Sequence, residues 1–115
     1  MKTILFSTLL LFVIADSNKL VGRWESVSAT GNITGVVFKD DNSFEGYIND
    51  KPFVSGTYSI RDSSFQMQDN GCMGVPGDYI LHFFSKNDSF RIELVNDACE
   101  GRANGSNNRV FGRVK

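Results

Sequence analysis

The chain is short of the residues on which most metal, redox and acid–base chemistry depends. It has one histidine and two cysteines. Cys72 and Cys99 stand far apart, so no Cys-x-x-Cys pair exists for zinc or thiol exchange. His82 has no second histidine with which to share a metal. An excess of charge is also missing. The formal net charge is −1, and Lys and Arg are scattered singly, without a run or a helical stripe. That argues against nucleic acid or an anionic membrane surface as the main partner. Outside the first fifteen residues no stretch repeats with a helical period, so nothing predicts a helical layer.

What is present begins with a leader. Lys2 supplies a basic start, Ile4 to Ile14 is an almost unbroken apolar run, and Val13-Ile14-Ala15 offers a cleavage site. The run is too short for a bilayer span and no stop-transfer pattern follows, so residues 1–15 read as a signal peptide rather than an uncleaved anchor. The expected location is therefore secreted or periplasmic. No Cys stands at the cleavage site to take a lipid. Residues 16–115 then form one domain. Loss of Lys2 takes its net charge from −1 to −2. Two cysteines in an exported domain predict a Cys72–Cys99 disulfide. No metal ligand set and no cofactor motif accompanies them.

The rest of the chain is short runs of Val, Ile, Phe, Tyr and Thr, broken by Asn, Asp and Gly. Eight strands are predicted: 22–29, 35–39, 43–49, 53–60, 64–69, 78–86, 89–97 and 109–115. Asp40-Asp41-Asn42, Asp62-Ser63 and Asn87-Asp88 read as tight hairpin turns. In an up-and-down meander these three share one end, and the four longer loops share the other. A two-residue turn at Asn87-Asp88 would set Phe83 opposite Ile92, Leu81 opposite Leu94 and Tyr79 opposite Asn96. It would set His82 opposite Glu93 on the other face. The second hairpin aligns Ile60 with Phe65 and Tyr58 with Met67, and the first aligns Phe38 with Phe44 and Val36 with Gly46. One apolar face results in every case. With no helix to cover it, the sheet is expected to close on itself as an all-β, eight-stranded antiparallel barrel, with no C-terminal helix. The same register carries Cys99 toward Cys72 at the long-loop end.

The opening Gly22-Arg23-Trp24 resembles the Gly-x-Trp with which lipocalins begin their first strand. The resemblance implies that Trp24 plugs the tight-turn end and that Arg113, late in the last strand, packs across its indole. The family's Thr-Asp-Tyr signature is replaced here by Lys86-Asn87-Asp88-Ser89. Asp97-Ala98-Cys99-Glu100-Gly101-Arg102 is similar to a stretch in short exported bacterial lipocalin-like domains, where its Cys pairs with one before the sixth strand.

Inward positions nearest the long-loop end are predicted to be Ser28, Ile48, Val54, Met67, Tyr79, Leu81, Leu94 and Asn96. They would line a mouth for a small hydrophobic molecule, with Tyr79 and Asn96 as polar anchors. The same side chains, with the eight phenylalanines after the leader, can instead fill a barrel this small, and the short strands favour that. Asp69 is the one carboxylate expected inward at the mouth. No nucleophile can be paired with a base. The expectation is a monomeric, non-enzymatic binding module for a small apolar ligand. The alternative is a protein-binding or inhibitory module that presents the disulfide-tied loops, with Met73, Val75 and Pro76 as contacts. In either case the site should lie at the end away from Trp24.

Overall fold

Alternation along the strands decides the architecture. A sheet with one apolar face and no covering layer lowers its free energy by rolling up, which buries that face and removes both edges. The computed structural model describes residues 19–115; the predicted leader, residues 1–15, lies outside them. Strands β1 (Gly22–Val27), β2 (Ile33–Phe38), β3 (Ser43–Ile48), β4 (Lys51–Arg61), β5 (Ser64–Asp69), β6 (Gly77–Phe84), β7 (Ser89–Asp97) and β8 (Val110–Arg113) pair in sequence order, and β8 closes on β1. Every pairing is antiparallel. This is a closed, calycin-like barrel.

The expectation of a barrel with no C-terminal helix is overturned. A short helix, α1 (Glu100–Ser106), stands between β7 and β8. Its sequence, with two glycines and an asparagine, has poor helical propensity. It buries only Ala103. Tertiary restraints hold it instead: it starts from Cys99, packs against β7 and sends Arg102 inward. A one-turn 3-10 helix, Asn70–Cys72, follows β5 and is capped by the Asp69 carboxylate, which accepts from the Cys72 N–H at 3.0 Å.

Two hairpins adopt the predicted register. Phe38 faces Phe44, Val36 faces Gly46, Ile60 faces Phe65 and Tyr58 faces Met67. The β6–β7 hairpin differs. Its turn has four residues, Ser85 to Asp88, so Phe83 faces Phe90, Leu81 faces Ile92 and Tyr79 faces Leu94. A slip of two keeps the pleat, so the same residues still point inward. The longer turn frees Asp88 to accept from Arg113 Nε and Lys115 Nζ. His82 now stands opposite Arg91, yet its Nε2 still lies 2.6 Å from Glu93 Oε1 on the outer face. Further along, a bulge leaves Val95 unpaired between Leu94 and Asn96. The bulge reverses the pleat, so Asn96 turns out to solvent and Asp97 turns in.

The tight-turn end is packed solid. Trp24 is fully buried, donates from Nε1 to the Leu20 carbonyl at 2.9 Å, and lies against Phe90 at a centroid distance of 4.8 Å. Arg113 lies 4.3 Å above the indole. It also donates to the carbonyls of Lys19, Val21 and Asn87. The guanidinium thus ties both ends of the described chain and the β6–β7 turn under the plug. A second aromatic group, Phe38, Phe44, Tyr58 and Phe65, fills the other side of the same half.

Candidate functional site at the long-loop end

Above the aromatic floor the barrel is not filled. A cavity of about 480 Å³ opens toward the long loops. Its wall is apolar, including Val36, Ile48, Val54, Met67, Leu81 and Ile92, and Phe38, Phe44, Phe65 and Phe90 form its floor. The filled interior that the short strands suggested describes the tight-turn half. The glycine-rich mouth is made by Gly71 and Cys72 on one side and by Gly101, Arg102, Gly105 and Arg109 on the other. A Cβ added at Gly101 or Gly105 would meet nothing within 4 Å, so α1 turns a bare backbone face to this opening. The Cys72–Cys99 disulfide bridges the two sides, with a Cα separation of 6.0 Å.

Of the predicted lining residues, Ile48, Val54, Met67 and Leu81 line the cavity. Tyr79 is buried outside it, with its hydroxyl donated to Asp97 Oδ2. Leu94 packs partly buried against the core, beside the α1–β8 connection, where its N–H donates to Asn107 Oδ1. Ser28 belongs to the β1–β2 turn, where its hydroxyl accepts from the Asn32 N–H. Asn96 is excluded by the bulge. So Ser28, Tyr79, Leu94 and Asn96, four of the eight, are not wall residues, and the polar anchors expected at Tyr79 and Asn96 are absent from the wall.

In their place stands an ionic cluster centred on Arg102, whose side chain is 7% exposed. Its Nε and Nη2 grip Asp97 at 2.6 and 2.8 Å, its Nη1 reaches Asp69 at 3.2 Å, and Nη2 also donates to the Val75 carbonyl at 2.7 Å. Asp97 is fully buried and Asp69 nearly so. Burial alone would push the Asp97 carboxyl up. Hydrogen bonds from Arg102, Tyr79 and the Cys99 N–H outweigh it and hold the group below its usual range. Tyr79 is driven well above the ordinary phenol, by burial first and then by its bond to Asp97. The hydrogen bonds that Arg102 donates to Asp97 and Asp69 raise it further, against its burial. Asp97 and Arg102 are therefore both charged at neutral pH, and the cluster clamps the β5–β6 loop to α1 beside the disulfide.

The residues that sequence reasoning missed at the mouth are Arg102, Asp97 and Arg109. The first two follow a bulge and a helix that no periodicity announced. Arg109 was within reach, because positions 109, 111 and 113 share one side of the pleat and Arg113 is expected against Trp24.

The outer surface carries a shallower groove of about 570 Å³ beside Arg23, Tyr47 and Asp50. Its polar groups already satisfy one another: Arg23 donates to Tyr47, Glu25 and Asp50, and Tyr47 donates to Glu25 at 2.6 Å. The Tyr47 ring lies across Gly35, where any side chain would collide with it. Among the described residues, no three His, Cys, Asp or Glu side chains are grouped to hold a metal. No described helix is long and apolar enough to cross a membrane. No protein-family model and no curated protein matches the chain.

Proposed function

We propose that this protein is an exported, lipocalin-like, non-enzymatic module that carries or senses a small apolar ligand inside its barrel. The cavity above the aromatic floor carries this reading. Its volume falls within the range of small-molecule sites, and its wall is apolar with a few polar groups at the entrance. The Cys72–Cys99 bond supports the exported location, because such bonds persist in oxidising compartments. The test is titration of the mature protein with a neutral, environment-sensitive naphthylamine dye. Saturable one-to-one binding is expected, and Ile48→Trp, which fills the cavity from its wall, should abolish it without unfolding the barrel. Absence of saturation, or binding indifferent to Ile48→Trp, overturns the proposal.

A second reading rests on Met73, which is 93% exposed beside the disulfide, with Val75 also exposed. Such a rim suits a protein-binding or inhibitory module. It predicts a partner captured from native medium that is lost on Met73→Asp while dye binding persists.

A further inference from the structure

Two arginines stand at the mouth, and the fold uses them unequally. Arg102 makes four hydrogen bonds and faces two carboxylates. Arg109 makes one good bond, from Nε to the Gly105 carbonyl at 2.8 Å, and a long one, from Nη1 to Thr34 Oγ1 at 3.5 Å. A guanidinium has about five N–H groups, so most of its terminal donors have no partner among the described residues. No described carboxylate lies within ion-pair distance of it.

Its position is fixed from both sides. It ends the α1–β8 connection just before β8, on the inward side of the pleat with Phe111. Pairing of β8 with β1 extends only to Glu25–Gly112. Above that point the Arg109 side chain reaches across to β2. Arg109, Thr34 and Ser106 border the same cavity, as do Arg102 and Asp69 of the ionic cluster and Tyr47, while its deeper wall is hydrocarbon.

We propose that Arg109 anchors the head of a singly charged anionic amphiphile, an alkyl carboxylate, whose chain lies in the barrel. The proposal rests on the carrier reading above and names the class of ligand. A planar guanidinium with open donors matches a carboxylate in shape and charge. Thr34 and Ser106 can add hydroxyl donors. A dianion is opposed, because the neighbouring Arg102, Asp69 and Asp97 already sum to −1. The apolar chain then runs down toward Phe38, Phe44 and Phe65, away from water.

Calorimetric titration with lauric acid, lauryl alcohol and lauryltrimethylammonium tests this at constant chain length. The acid should bind the mature protein tighter than the alcohol by about tenfold or more, the scale of one hydrogen bond to a charged group. The ammonium should bind weakest. Arg109→Gln should bring the acid down to the alcohol and leave the alcohol unchanged, and Arg109→Lys should restore part of the gap. Equal binding of acid and alcohol by the wild type overturns the anchor and leaves the carrier reading standing. So does a preference that survives Arg109→Gln. Failure of all three ligands to bind overturns both.

Discussion

Replacing Arg102 by methionine would show how much the barrel mouth depends on a single charge. Methionine keeps much of the length and apolar contact of the side chain and removes only the guanidinium. Asp69 and Asp97 would then be left together, 5% and 0% exposed, without a cation. They would keep the Cys72 N–H, the Cys99 N–H and the Tyr79 hydroxyl as donors. Leaving a buried charge without its partner costs about 3–5 kcal/mol. A domain of this size has only about 5–15 kcal/mol in all. The expected fall in Tm is at least about 12 °C, taking ~4 °C per kcal/mol as the lower bound. Thermal unfolding followed through Trp24, the sole tryptophan and a fully buried one, measures that fall, and urea unfolding on the same signal measures the loss in free energy. The sign of the pH dependence is the sharper test. In the wild type the folded-state pKa of Asp97 is depressed. Its contribution is complete above the unfolded value near ~3.9 and is lost as pH falls through the folded value. In the variant the burial of Asp97 is no longer offset by Arg102, so its folded pKa moves up, and the folded state takes up a proton and gains stability as pH falls. The gap between variant and wild type should therefore narrow between pH 7 and about pH 5. A loss below about 1 kcal/mol, typical of an exposed pair, would refute the clamp. So would a penalty that is the same at both pH values.

Two further perturbations address the opposite ends of the barrel. Exchanging both Cys72 and Cys99 for serine opens a loop of 27 residues; chain entropy puts the loss at about 3.5 kcal/mol, read as a fall in urea midpoint that added reductant reproduces in the wild type. At the plug, Arg113→Met should cost about 0.5–2 kcal/mol for the cation–π contact, and more for the stranded carbonyls of Lys19, Val21 and Asn87. It should also change Trp24 emission, whereas the Cys pair should not; an unchanged emission spectrum in the Arg113 variant would argue against the stacked geometry.

Binary alternation made most of the barrel legible. Phe38 against Phe44 and Tyr58 against Met67 follow from turn chemistry and pleat alone, because a one-residue error would have put aromatic rings in water. The same register carried Cys99 toward Cys72, whereas the placing of Trp24 under Arg113 came from the resemblance of Gly22-Arg23-Trp24 to the opening of lipocalins. What it could not carry was local irregularity. The β6–β7 turn gains two residues because Asp88 is drawn to Arg113 and Lys115, contacts between segments far apart in sequence. The bulge at Val95 has no compositional mark, yet it exchanges Asn96 for Asp97 on the inner face and so replaces a neutral polar anchor with half of an ion pair. Helix α1 is invisible to periodicity because it is held by Cys99, Arg102 and Ala103 rather than by an apolar stripe.

The bulge and the helix fall in the long-loop half, and together they explain why the mouth is polar while the wall is not. The bulge turns Asp97 inward, where it would be an intolerable lone charge. Arg102 neutralises it only because α1 brings the sixth residue of Asp97-Ala98-Cys99-Glu100-Gly101-Arg102 back over the opening. The helix in turn delivers the chain to β8 with Arg109 on the inward side of the pleat. Arg102 is thereby consumed by the fold, since two carboxylates and a carbonyl take four of its donors. Arg109 is not, since its only close acceptor among the described residues is the Gly105 carbonyl. Two residues of one type, seven positions apart on one side of the same mouth, thus take different roles according to what faces them: one holds the rim together, and the other is, among the described residues, the only cation at the cavity with donors to offer to something outside the chain.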